Sequence, residues 1–165
     1  MANVEDVAWD LEDLVEPMGG LDAVIESSWE IVNGLVAFEG KISSLSVDEF
    51  LKVMRTYGEL HETLGRAGNY TGLLFSVNTQ DEDVAAAMQK VDEISADISA
   101  KLTFIEVEFN ELDDSKVEEI LGNEESEFCR YYLKHLRRSA KHQLSTKEES
   151  LLTQFSVTGS SAWDR

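Results

Sequence analysis

The sequence predicts an all-α fold, a bundle of long antiparallel helices, and three observations carry that prediction. A single proline in 165 residues, with few turn clusters, leaves room for long uninterrupted helices. Apolar residues recur at spacings of three and four, the period of a helix face and not of a strand. Two stretches, 46–49 and 145–148, carry the Ser-x-x-Glu arrangement of a capping box. There the hydroxyl accepts from the third helical amide and the carboxylate reaches back to the cap. Residues 103–107 have β-branched and aromatic character, yet they sit within a longer helical register and are read as helix.

Taken in order, residues 3–15 form an acidic lead-in pinned by Trp9, Leu11 and Leu14, with a break at Glu16-Pro17-Met18-Gly19-Gly20. From Leu21 to around Glu39, a helical face runs through Leu21, Val24, Ile25, Val32, Leu35 and Val36. Trp29 and Phe38 widen it, and Gly40 is its expected C-cap. Ser46 starts the next helix, with Leu45 stapled to Phe50. Its face comprises Phe50, Val53, Met54, Tyr57, Leu60, His61 and Leu64. After Gly65, residues 67–77 read as a separate, shorter helix in which Gly68 and Gly72 would admit a second backbone. A turn follows at 78–82, with Thr79 as the expected N-cap.

Residues 80–112 form the longest element. Val84, Met88, Val91, Ser95, Ile98, Leu102, Ile105, Phe109 and Leu112 alternate by four and three, a heptad register with Ser95 as its polar member. Ile94, Phe104 and Val107 broaden the stripe beyond a two-stranded seam, which favours a bundle over a coiled-coil dimer. The chain turns at 112–115, a short helix runs to Leu121, and Gly122-Asn123 breaks it. Residues 130–141 then read as a helix with Phe128, Tyr131, Tyr132, His135, Leu136 and Ala140 at helical spacing. Arg137, Arg138 and Lys141 suit the negative end of its dipole. The elbow His142-Gln143-Leu144 leads into the helix capped by Ser145.

Composition bounds the function. At this length the chain is read as one domain able to bury about 70% of its unfolded surface. The 14 basic and 33 acidic residues give a net charge of −19. That balance argues against nucleic acid and anionic membrane as partners. A solvated helical surface explains the acidity most simply, and a salt-adapted source is the other explanation. Cys129, alone, makes no intrachain disulfide, which suits a reducing compartment, and its place on an apolar run favours a buried thiol. Residues 1–30 lack a basic leader pattern and no apolar run is long enough to span a membrane, so a cytoplasmic location is expected.

No catalytic, cofactor-binding or metal-ligating residue is assigned. His61 is read as a packing residue. His135 and His142 stand seven apart, about 10 Å at ~1.5 Å per residue, too far for one zinc ion. His142 is read as an elbow residue, with a substrate contact as the alternative. Arg137 and Arg138 could hold a peptide carboxylate in a bidentate fork, against the simpler reading of charge pairing at a helix end. The carboxylate pairs 113–114, 118–119, 124–125 and 148–149 are read as solvated faces.

The closing stretch also carries a resemblance. Its pattern is Tyr132-Leu133-x-x-Leu136-Arg137-Arg138, His142-x-Leu144-Ser145-x-x-Glu148-Glu149-x-Leu151-Leu152, then Thr158-Gly159-x-x-Ala162-Trp163. It resembles the N-terminal region of oligoendopeptidase F-type zinc metallopeptidases, most closely over 131–163. The opening Trp9-Asp10-Leu11-Glu12-Asp13-Leu14 is similar to that family's start. So, in order, are Phe38-Glu39-Gly40-Lys41-Ile42, Tyr57-Gly58-Glu59-Leu60, Tyr70-Thr71-Gly72-Leu73 and Phe75.

The resemblance implies that residues 1–165 are a single N-terminal domain without the catalytic zinc domain. It further implies zinc as cofactor of the full-length family and none in this chain. The implied partners are short peptides and a C-terminal catalytic domain, with this region forming part of the substrate-cleft wall. The family's His-Glu-x-x-His motif has one near miss here, His61-Glu62-Thr63-Leu64-Gly65, whose second ligand position is a glycine without a side chain. The chain alone is therefore expected to be inactive, and its end at Arg165, just after Ala162-Trp163, reads as an interruption. The alternative is a free-standing helical interaction or peptide-binding module, with the heptad face of 84–112 as its contact surface.

Overall fold

The computed structural model describes residues 10–15 and 20–159. The anchor Trp9, the break at 16–19 and the terminal Trp163 lie outside the described residues. Seven α-helices make an all-α bundle with no strand among the described residues: α1 (Glu12–Val15), α2 (Leu21–Val36), α3 (Val47–Val77), α4 (Glu82–Asn110), α5 (Asp114–Gly122), α6 (Glu127–Ser139) and α7 (Thr146–Thr158). Both capping boxes form, at Ser46 for α3 and Ser145 for α7. At the start of α4 the cap is Asp81 and not Thr79. Its carboxylate accepts from the amides of Asp83 and Val84, a charged acceptor at the positive end of the helix.

α4 is the axis of the bundle. Phe50 stacks on Phe109 with ring centroids 5.6 Å apart, and Tyr57 meets Glu106, so α3 runs antiparallel to α4. α2 runs alongside in the direction of α4. Lys90 pairs with Asp22 at one end, and the Glu108 carboxylate accepts from the amides of Gly40 (2.7 Å) and Ile42 (3.1 Å) at the other. α2 closes at Val36, one turn earlier than the sequence suggests. Gly40, at φ +74°, completes the loop beyond it, a conformation that glycine adopts without strain.

From Ile98 onward α4 is enclosed on nearly all sides, with Ala100, Leu102, Phe104, Ile105, Val107 and Phe109 buried. This main core also takes Val32, Leu35, Phe50, Leu60, Ile120 and Leu133 from the surrounding helices. A smaller core joins Val15, Val24, Ala67 and Val91. Arg66 fastens α1 there by donating to the carbonyls of Asp13 and Leu14. The heptad face predicted over 84–112 is thus largely spent inside one bundle, which removes it as a free contact surface.

Two helices depart from their predicted form. α3 is continuous through Gly58, Gly65, Gly68 and Gly72, with no break near Gly65. No atom of another element comes within 4 Å of where a Cβ on Gly68 or Gly72 would sit, so these glycines do not mark a close approach. In α6 the buried stripe is Cys129 and Leu133 with Tyr132 and Leu136 partly covered. Phe128 and Tyr131, expected inside, face outward, and the Arg55 guanidinium lies 4.3 Å above the Phe128 ring.

Candidate functional site

The point where α3, α4, α6 and α7 converge holds a polar cavity of about 320 Å³, near the lower end of ligand-site volumes. Two of its lining residues, Tyr57 and Glu106, belong to a three-helix hydrogen-bond network. The Tyr57 hydroxyl (α3) donates to Oε1 of Glu106 (α4) at 3.1 Å, and the Tyr132 hydroxyl (α6) donates to the same oxygen at 2.5 Å. Burial, and then the negative carboxylate beside it, pushes the Tyr57 phenol well above its ordinary range. Burial likewise leads for Tyr132, with Tyr57 and Glu106 adding to the rise. Both phenols therefore act as donors and not as bases at neutral pH.

An alkaline titration tests this network. The folded-state values of both phenols lie above the unfolded value of ~10. Their stabilisation is complete below about pH 10 and is lost as pH rises further, by up to ~1.4 kcal/mol per pH unit for each phenol. Thermal melts from pH 9 to 11.5 should show a steep fall in Tm above pH 10 that Tyr57→Phe/Tyr132→Phe flattens. An unchanged slope in the double variant would refute the network's role.

His61 follows Tyr57 by one turn, its ring edge-on at 4.4 Å. Desolvation lowers the imidazole from its ordinary value, with Glu106 acting in the opposite sense. The residue is otherwise exposed and does not belong to the packing face predicted for it. On the far side of the cavity, Gln143 wedges the elbow before α7 against α4. Its Nε2 donates to the Val107 carbonyl at 3.4 Å, and its Oε1 accepts from Asn110 Nδ2 at 2.6 Å. Because a carbonyl can only accept, Val107 sets the orientation of both amides. That orientation leaves the enclosed Oδ1 of Asn110 without a donor.

The residues singled out from the sequence scatter across the molecule. His61 and His142 line the same cavity, whereas His135 is exposed and is not among its lining residues. Arg137 turns inward and caps the end of α4. It donates to the carbonyls of Asn110 and Leu112 and pairs with Asp114 at 2.8 Å, so the structural reading of this arginine holds. Arg138 is exposed. The Cys129 thiol is buried and pushed upward by desolvation, a protonated packing group. Among the described residues no group of three or more histidine, cysteine or carboxylate side chains could hold a metal ion. No described helix is long and apolar enough to cross a membrane.

The Tyr57–Glu106–Tyr132 network was not predicted. Its members fall on three separate helices, and only the face positions of Tyr57 and Tyr132 hinted at burial.

An all-α helical domain with a half-open cavity where four of its helices meet is the class of protein that this geometry defines. Comparison with known proteins places the likeness more narrowly. A family model described as Oligopeptidase F matches residues 108–165. The chain is 23% identical over 156 residues to Oligopeptidase PepF of Bacillus subtilis (strain 168), covering 93% of this chain and 23% of that relative. The chain thus spans about a quarter of the length of the curated relative it matches. No solved structure matches it. Family model and relative together support similarity to the N-terminal region of oligoendopeptidase F-type peptidases.

Proposed function

We propose that residues 1–165 form a single non-catalytic N-terminal domain of an oligoendopeptidase F-like zinc metalloendopeptidase that hydrolyses short peptides in the cytoplasm. In this reading the domain supplies part of the substrate-cleft wall, while a C-terminal region supplies the zinc and the catalytic residues. One observation carries the reading. α7, within the segment matched by the family model, lays small polar residues, Thr146, Ser150 and Thr153, against α4 and turns its large apolar side chains outward. On α7, Leu151, Leu152 and Phe155 are 51%, 54% and 59% exposed, and Leu144, in the elbow before it, is 44% exposed. A helix with its larger apolar face turned away from its own domain offers that face to a partner. The much greater length of the similar peptidase supports a catalytic region as that partner.

The test uses the pure chain. A fluorogenic short peptide should remain uncut with or without added zinc. A hydrophobic dye should bind, and Leu151→Ser/Leu152→Ser/Phe155→Ser should abolish most of that binding with Tm shifted by less than about 3 °C, a surface-substitution effect. Chelator-sensitive cleavage by the pure chain would overturn the reading. So would dye binding that the triple variant leaves intact.

A further inference from the structure

We propose that the groove between α3 and α6, with the outward face of α6 beside it, is a docking surface for an acidic polypeptide segment that seats one large apolar side chain in the groove. Charge is the first observation. Residues 128–147 hold six lysines and arginines and no aspartate or glutamate, whereas the rest of the chain holds the other 8 basic residues and all 33 acidic ones. Tyr131, Lys134, His135 and Arg138 recur at helical spacing on the side of α6 opposite Cys129 and Leu133, and all four are exposed. Glu127, at the head of this stripe, is tied to Arg130.

The cations of the stripe have no partner within the domain. Among the described residues Lys134, Arg138 and Lys141 form no ion pair, although the chain has more than twice as many acids as bases. The helix dipole does not account for them all, because its attraction falls off within the last turn and Lys134 stands more than a turn before the end at Ser139.

Packing supplies the second observation. The groove has a volume of about 390 Å³ and a mainly apolar lining that includes Met54 and Gly58 of α3 and Phe128, Cys129 and Tyr132 of α6. Its one carboxylate among the described residues, Glu106, already accepts from two tyrosines. Phe128 lines the groove while 47% exposed, and Tyr131, its neighbour one turn on, is 81% exposed. Groove and stripe therefore meet at Phe128. Arg55 sits over that ring from α3 and forms no ion pair among the described residues. Exposed Glu59 and Glu62 follow it on α3, which directs an acidic partner along α6.

Exposed aromatic rings beside arginine have the composition of interface anchors. A polypeptide suits this face better than a nucleic acid, whose continuous phosphates would run on past it over the surface of a chain of net charge −19. The inference is independent of the peptidase reading, which rests on α7.

Fluorescence anisotropy with the full chain in ~0.15 M salt, where long-range repulsion by the acidic surface is screened, tests it. The probe is a labelled, end-capped peptide of the length of α6, built of aspartate and glutamate with one central phenylalanine. Saturable one-to-one binding is expected. The same peptide with asparagine and glutamine, or with serine for its phenylalanine, should bind at least about tenfold more weakly. Lys134→Glu/Arg138→Glu should weaken binding by at least about tenfold. Lys52→Glu/Lys101→Glu makes the same change of net charge at exposed sites outside the groove and should not. Gly58→Leu places a side chain where nothing lies within 4 Å of a Cβ, and leucine has the higher helix propensity. It should keep or raise Tm while filling the groove and weakening binding about tenfold.

The proposal is overturned by absence of saturable binding, by equal binding of either altered peptide, or by equal losses in the two double variants. Undiminished binding in Gly58→Leu would overturn it, as would an oligodeoxythymidine bound as tightly as the acidic peptide.

Discussion

Phe109→Ala is expected to lower the unfolding free energy by about 3–5 kcal/mol, the range for truncating a fully buried aromatic. Phe109 is 1% exposed, stacks on Phe50 and sits where α4 joins the main core. The bundle cannot collapse around the void without moving α3 against α4, so the cost should include a cavity as well as lost transfer energy. Against a total stability of ~5–15 kcal/mol this is a large fraction, and urea denaturation would read it as a lower midpoint at similar slope. A loss below about 1 kcal/mol, typical of a peripheral site, would show that Phe109 is not at the centre of the core.

Arg137→Met should cost about 2–3 kcal/mol, more than an ordinary surface arginine. The guanidinium satisfies the carbonyls of Asn110 and Leu112 at the corner after α4, groups for which the helix itself provides no donor. Charged hydrogen bonds are worth ~1.5–3 kcal/mol, and enclosed carbonyls left unpaired add to the loss. The Asp114 partner is exposed and should matter little. Chemical denaturation of Arg137→Met beside Asp114→Asn separates the two contributions. Equal losses would show that the surface ion pair, and not the carbonyl caps, holds the corner.

Much of this architecture was legible because local chemistry and tertiary packing agree. The Ser46 and Ser145 capping boxes need only four consecutive residues each, and both form. The register of 84–112 required a partner surface of any kind, and a bundle supplied it. Legibility failed where local signals were ambiguous. Gly65 looked like a helix end, yet α3 runs through it because Leu64, Ala67 and Thr71 on the same helix are buried against their neighbours. That burial outweighs the ~1 kcal/mol propensity cost of a glycine. Thr79 lost the cap of α4 to Asp81, whose carboxylate directly precedes the helix and accepts two of its amides.

α6 shows the limit most clearly. Its sequence offers aromatics on adjoining faces, Phe128 and Tyr131 on one and Tyr132 on the next, with little in the local periodicity to choose between them. The choice is made by what lies across the interface, the Glu106 acceptor that Tyr132 can reach and the apolar space that Cys129 and Leu133 fill.

By itself, then, the sequence determined the helical class, the two boxed helix starts, the central position of 84–112 and the likeness to oligoendopeptidase F-type peptidases. These depend on periodicity, short-range capping and an ordered string of motifs. Only the tertiary structure decided which face of α6 is buried, that α7 turns its leucines and Phe155 outward, and that Glu106, Asn110 and Glu149 share one cavity. Those outcomes depend on contacts between residues distant in the chain, whose energies no local pattern encodes.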